Sequence, residues 1–295
     1  MEATPDSAPQ RRHGERVHRI NAGVNLALAL LKGVGGFLAG SQALIADATH
    51  SLGDMATSAV AWLSFRVAGQ PPDEDHHFGH GKAEAAASVF VGGFLVALGL
   101  MVLAGALDGE GVAYGAGAAS VALGFAVLSM AGNLWLARLT SVAADEVGSA
   151  GLRALARDNQ ADVLSSALVI IGVLGGAVGW LWWEPIATAV IGLFIAWMGA
   201  QSLGEGMNTL MDRVTDPEIR GRIEAVAGAV EGVHGVQTVR VHPLGTAQRA
   251  DVEVSVDGNL SVSVGHSIAH AVEAAIVAHE PGMVQISVHI NPVED

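Results

Sequence analysis

Six apolar stretches, at about residues 17–40, 42–66, 84–107, 112–138, 157–180 and 182–205, constrain this 295-residue chain more than any other feature. Each is close to the roughly 20 residues a helix needs to cross a bilayer. With 51% hydrophobic and only 15% charged residues, too little polar surface is left to solvate a soluble protein of this length. The pattern is that of an integral membrane protein with an all-α domain of six transmembrane helices. Short connections after the first, third and fifth stretches hold Asp108, Glu110 and Glu184 but no Lys or Arg. Arg11, Arg12, Arg16, Arg19, Arg66, Lys82, Arg138, Arg153, Arg157 and Arg213 gather at the opposite ends. Such an excess marks the cytoplasmic face, so both termini are expected inside a multi-pass protein of the cell membrane.

The flanks have a different character. Residues 1–16 are polar, lack the apolar core of a secretory signal and are expected as a disordered tail. The span domain then covers 17–211, and from 212 to 295 the chain has the charge and period-2 alternation of a soluble domain. Asp216-Pro217 can open a helix running to about Glu231, because Pro at a first helical turn loses no hydrogen bond. Strands are expected near 236–242 and 250–256, the second alternating through Asp251, Val252, Glu253 and Val254. A helix near 262–279 and a strand from Val284 to Ile290 complete an α-β-β-α-β order, the pattern of a small α+β domain.

Inside the apolar stretches stand groups that membrane depth penalises. His50 and Asp54, and again Asp158 and Asp162, are four residues apart, and a helix puts such pairs on one face. Two facing clamps of this kind supply four ligands to one divalent first-row metal ion. The chain has no cysteine, so any metal is held by His, Asp, Glu or backbone oxygen. The bland alternative is a hydrogen-bond network between helices. Against it, three carboxylates in one patch repel unless a cation sits among them. Asp47, three residues before His50, is either a fifth ligand or a packing residue, and Lys32 requires a partner that the sequence leaves unnamed.

Between the second and third stretches runs Asp73-Glu74-Asp75-His76-His77-Phe78-Gly79-His80-Gly81-Lys82-Ala83-Glu84. This run, with Asp47-Ala48-Thr49-His50-Ser51-Leu52-Gly53-Asp54 before it and Asp158-Asn159-Gln160-Ala161-Asp162 after it, resembles the cation diffusion facilitator family over nearly the whole chain. The resemblance implies a homodimeric transporter, not an enzyme, that moves zinc or another divalent metal out of the cytosol in exchange for protons. It places the transport site at His50, Asp54, Asp158 and Asp162, and a second site in the loop at Asp73, His76 and His80. It implies a charge interlock between subunits through Lys82 and Asp212, and a ferredoxin-like C-terminal domain. For that domain it offers a metal site at Glu253, His266 and His289. There the positions of Gln237 and Asn291 have lost strong ligands, and a metal-free dimerisation domain is the equal alternative.

One imidazole and three carboxylates form a harder donor set than two of each, which brings iron(II), manganese and cobalt alongside zinc as substrates. With His50 neutral the ligands carry −3 against the +2 of the ion, so proton release on metal binding is built into the site. No organic cofactor is expected, and no phosphate-cradling Gly-x-x-x-x-Gly-Lys-[Ser/Thr] run is present. Expected partners are the bilayer, a second copy of the chain, divalent metal and protons. Nucleic acid is not among them, because 29 acidic residues face 15 basic ones and no basic patch exists. A passive channel would need a row of polar groups along the span instead of one cluster. A membrane metal sensor or scaffold without turnover needs the same ligands and stays open as an alternative.

Overall fold

The computed structural model describes residues 8–109, 113–147, 150–214, 216–244 and 247–293. Its elements are α1 (Ala8–Ala39), α2 (Gln42–Ala68), α3 (Ala83–Asp108), α4 (Ala116–Val147), α5 (Ala150–Ala177), α6 (Trp183–Leu210), α7 (Ile219–Gly228), β1 (Gly235–Leu244), β2 (Ala247–Val256), α8 (Val262–His279) and β3 (Met283–Pro292). They fall into two compact units, Met1–Ala59 with Val91–Gln201, and Val60–Phe90 with Ser202–Asp295.

Five helices are long and apolar enough to cross a membrane: α1 over Glu15–Ala39, α3, α4 over Ala116–Glu146, α5 over Leu155–Ala177, and α6. Six were expected, and the shortfall is α2. Its 27 residues give ample length, about 40 Å at 1.5 Å per residue. Its composition falls short because Asp47, His50 and Asp54, with Thr49, Ser51, Thr57 and Ser58, dilute the apolar run. The helix that carries half of the expected ligands is thus the one that hydropathy alone does not pick out. The tail expectation also needs correction. Residues 8–16 belong to α1, since Gln, Arg and Glu are good helix formers and extend a helix already nucleated by the span. Residues 1–7 and Glu110 lie outside the described residues.

In the first unit α4 packs against both α1 and α5. Several of its buried positions are small, with Ala122, Ala126 and Ala137 inside, which lets backbones approach. The same device brings α3 and α6 together. A Cβ on Gly192 would lie 2.9 Å from the Gly99 carbonyl oxygen, and one on Gly199 2.6 Å from Val96 N, so only glycine fits at either place. Outward positions are large and apolar: Phe37, Met101, Leu164 and Trp197 are all exposed. That is the surface a bilayer solvates and water does not. Glu184, at the start of α6, is fully buried, where its Oε1 accepts from Ser41 Oγ at 2.7 Å and from Ala43 N at 3.3 Å. The carboxylate thereby satisfies an orphan amide at the N-terminus of α2.

The second unit contains a three-stranded sheet in the order β1-β2-β3. The hairpin partners β1 and β2 are antiparallel. β3 returns through the 18-residue α8 and therefore pairs parallel to β2. Alternation along β2 does what it predicts: Ala250, Val252, Val254 and Val256 turn inward onto Ile219, Ile223, Val272 and Ile276 of α7 and α8. α8 spans the expected 262–279, with Ser261 capping Val264 N. α7 starts later and ends earlier than expected. Asp216 forms a turn, accepting from Glu218 N at 3.0 Å, and spends its other oxygen on Arg222 at 2.8 Å.

Arg222 also grips Glu280 at 2.6 Å, joining the entrance of α7 to the residue that ends α8. Hydrogen bonds from Arg222 hold both carboxyls below their ordinary values of 3.8 and 4.5. A depressed carboxyl contributes stability that is present above its unfolded value and lost as pH falls through the folded one. Arg222→Ala is therefore expected to lower the melting temperature of the detergent-purified protein at pH 7, with the gap to wild type closing below about pH 4. An equal gap at pH 7 and pH 3 would show that packing, not charge, carries the effect.

Candidate metal centre

α2 and α5 meet around His50. Its Nε2 lies 3.6 Å from Asp54 Oδ2, one turn along α2, and 3.8 Å from Asp162 Oδ1 on α5. Donor atoms of these three residues all fall within 4.8 Å of one another. Ligands at about 2.1 Å from a tetrahedral ion are themselves about 3.4 Å apart, so the group needs little contraction to close on a metal. His50 and Asp162 are buried while Asp54 is a third exposed, and the Phe194 ring stands edge-on against the imidazole at 5.6 Å. Asp162 Oδ1 is buried and, among the described residues, has no hydrogen-bond donor. A buried carboxylate oxygen without a donor, beside an imidazole and a second carboxylate, is costly unless a cation or a proton offsets it. Asp158 sits one turn before Asp162 on α5 but is exposed and outside this cluster.

Behind the cluster lies a network that the sequence announces only through its odd residues. Lys32 and Asp47 are both fully buried and paired at 3.1 Å. Lys32 Nζ also donates to Ser51 Oγ at 2.9 Å, and Asp47 accepts from Ser165 at 2.7 Å and Ser166 at 3.1 Å. The missing partner of Lys32 is thus Asp47, whose carboxylate is taken up by that ammonium and two serine hydroxyls. The network ties α1, α2 and α5 beside the residues that present His50 and Asp162. A second set, Asn159 donating to Asn21 at 2.8 Å and accepting from Asn25 at 3.3 Å, joins α1 to α5.

In the second unit the three loop residues come together without a helix. Asp73 turns the chain by accepting from the amides of Asp75 at 3.0 Å and His76 at 2.6 Å. Its two oxygens then lie 3.1 Å from His76 Nδ1 and 3.3 Å from His80 Nε2. The backbone hydrogen bond from His76 is the main reason the Asp73 carboxyl lies below its ordinary value of 3.8. Their donor atoms form a second compact three-residue group, largely exposed.

The cation efflux transmembrane domain matches residues 19–211, and the cytoplasmic domain of cation efflux proteins matches residues 215–293. The chain belongs to the cation efflux family. Metal tolerance protein C1 of Arabidopsis thaliana is 29% identical over 95% of this chain, which spans 62% of that protein's length. The manganese efflux system protein MneP of Bacillus subtilis is 29% identical over 91% of this chain and 92% of its own. A solved MamM CTD variant is 29% identical over 26% of this chain and 93% of that one, at a TM-score of 0.25. This cation efflux protein is accordingly a multi-pass membrane protein of a family of metal transporters, with a cytoplasmic dimerisation domain at its C-terminal end.

Lys82 and Asp212, the residues of the implied interlock, pair at 3.0 Å. Asp212 follows α6 in a left-handed conformation, φ 59°, which turns its carboxylate back toward the loop. Burial raises this carboxyl, but hydrogen bonds and charge from Lys82 and His242 outweigh that and hold it below 3.8. His242 bridges Asp212 at 3.3 Å and Asp251 at 3.4 Å, extending the pair into the sheet. The C-terminal trio is not assembled. Glu253 and His289 occupy paired positions on β2 and β3, while His266 on α8 turns along its own helix toward His270. A helical side chain meets its i+4 neighbour more readily than a strand on the far side of the sheet edge.

Proposed function

We propose that this transporter exports a divalent first-row metal from the cytosol in exchange for protons, with zinc as the leading substrate, through a site made by His50, Asp54, Asp158 and Asp162. The observation that carries this is the three-donor cluster of His50, Asp54 and Asp162, drawn from two helices, with one buried carboxylate oxygen that has no donor among the described residues. Asp158 shares the Asp162 face of α5 and joins by side-chain rotation as the fourth ligand. Net charge supplies the coupling. Four ligands carrying −3 hold protons when empty and release them to a +2 ion, and a higher proton activity outside reverses the exchange there. For this, α2 crosses the bilayer as a sixth span despite its polar residues, and both termini lie in the cytoplasm of a cell-membrane protein. The domain from 212 onward is a ferredoxin-like module that holds a homodimer. Asp73, His76 and His80 are proposed as a second, weaker metal site, and Lys82 with Asp212 as the interlock that steadies the loop.

A second reading, manganese export, is favoured by the oxygen-rich donor set and by the likeness to MneP. The two are separated by flux of zinc, manganese, iron(II) and cobalt into proteoliposomes under an imposed pH gradient, with Asp54→Ala as control. Flux that follows the gradient and disappears in the variant establishes metal/proton exchange and names the ion. Binding without flux for every metal identifies a sensor or scaffold. His50→Asp, which leaves only oxygen donors, is expected to shift the ratio of manganese to zinc flux upward by about tenfold, and an unchanged ratio would remove His50 from the selecting site.

A further inference from the structure

Among the described residues Asp47, Asp162 and Glu184 are the buried acidic side chains, and only Glu184 belongs to neither the metal cluster nor the Lys32 network. It holds the N-terminus of α2. Its Oε1 accepts from Ala43 N at 3.3 Å and from Ser41 Oγ at 2.7 Å, and Ser41 Oγ itself accepts from Leu44 N at 3.2 Å. Further along α6, the Phe194 ring stands edge-on to His50 at 5.6 Å. α6 therefore touches α2 at two levels, its Gln42 end and the metal centre, about 10 Å apart along the helix.

Helix geometry decides what lies between those levels. Positions 54, 50, 46 and 43 keep to one side of α2, so Ala46 and Ala43 continue the face that presents Asp54 and His50. Ala43, Ala46 and His50 are buried, whereas Asp54 is a third exposed. The ligand-bearing face is thus closed toward Gln42 and open toward Asp54, and Glu184 fastens its closed end. Any path from the metal centre past Gln42 has to uncover Ala46 and Ala43, and moving them away from α6 breaks both bonds to Glu184. The fastening is not saturated. Glu184 Oε2 and the hydroxyl of Tyr114, which stands beside Ser41 and Glu184, are buried without a hydrogen-bond partner among the described residues. Both regain water when the ends part, which offsets some of the loss and leaves the closed arrangement able to open.

We propose that Glu184 is a positioning residue of the transport cycle, the latch that closes the Gln42 end of α2 against α6 while metal enters from the Asp54 end. This rests on the reading above, in which the Gln42 end faces outward and metal leaves there. A protein that cannot fasten the latch is open at that end more of the time. It is less often in the state that takes up metal from the other side, so its half-saturating metal concentration rises.

The chain lacks cysteine, so Ala46→Cys alone reports on this face in the full-length, detergent-purified protein. Its reaction with a water-soluble maleimide is expected to be slow, and about tenfold or more faster once Glu184→Ala is added, as the loss of one or two hydrogen bonds implies. Glu184→Gln keeps an acceptor oxygen for Ser41 and Ala43 and should label like the parent. Ala126→Cys, buried on α4, controls for general loosening and should not accelerate. In proteoliposomes Glu184→Ala should raise the half-saturating metal concentration, and Glu184→Gln should restore it. If Glu184→Ala does not elute as folded protein, Ser41→Ala, which removes one of the two donors, replaces it with the same expected direction. Unchanged labelling at Ala46→Cys, equal acceleration at Ala126→Cys, or Glu184→Gln labelling as fast as Glu184→Ala overturns the latch. Absence of metal flux in the unsubstituted protein overturns the transport reading instead, and the labelling result, which needs no metal, is untouched by it.

Discussion

Asp162→Ala is expected to abolish metal flux in proteoliposomes while the protein melts at the same or a higher temperature than wild type. A single partner of a metal ligand is worth roughly 10–100-fold in affinity, and a ligand itself more, so the fall in flux is expected to exceed about 100-fold. The direction of the stability effect follows from Asp162 Oδ1, which is buried without a hydrogen-bond donor among the described residues. Removing it takes away a desolvation cost that no bond offsets, as happens where binding sites are kept at the expense of the fold. Asp162→Asn, which keeps the volume and loses the charge, should lose flux equally. Full flux in either variant, measured on protein that elutes as a folded species in detergent, would place the transport site elsewhere. Loss of folding in Ala but not Asn would assign the carboxylate a packing role, and the flux of the Asn variant then decides.

Lys32→Ala is expected to be the most damaging single change to stability, at about 3–5 kcal/mol, because it strands the Asp47 carboxylate at zero exposure with only two serine hydroxyls. Asp47→Asn alone should cost a similar amount for the mirror reason, leaving an ammonium with Ser51. Lys32→Met combined with Asp47→Asn removes both charges, and replacing a buried pair by groups of similar volume is often nearly neutral. The double variant should therefore recover most of the melting temperature lost by either single change. Costs that simply add would mean that the two residues are not coupled, since independent sites add and contacting ones do not. Flux in the double variant is expected to stay below wild type even where the fold recovers. The network holds α2 and α5 in the rotation that points His50 and Asp162 at each other, and a misplacement of about 1 Å is enough to impair a preorganised site.

Much of the fold was legible because its signals are local. Apolar length pointed to six stretches, five of which are helices long and apolar enough to cross a membrane, and the helix expected near 262–279 is α8. Alternation from Asp251 to Val256 identified β2 and its inward face. α7 starts later than expected because Asp216 forms a local turn with one oxygen and holds Arg222 with the other instead of opening the helix. The stretch at 42–66 reads as apolar by length, but the polar residues that make α2 interesting lower its hydropathy below that of the other five helices.

For the site, spacing alone paired His50 with Asp54 and Asp158 with Asp162, because the i, i+4 rule acts within one helix. Which of those atoms approach one another is a property of two helices packed together, and the packing gathers three donors while leaving Asp158 exposed. The partner of Lys32 was hidden for the same reason: residues 32 and 47 belong to different helices, and no local rule links them. In the loop, the resemblance named Asp73, His76 and His80, and a turn hydrogen-bonded to Asp73 brings the imidazoles together. The resemblance of His266 to a position in the family pointed to the sheet. Its own helix supplied a nearer partner in His270, because a side chain's first neighbours are fixed by backbone geometry before the tertiary fold offers others.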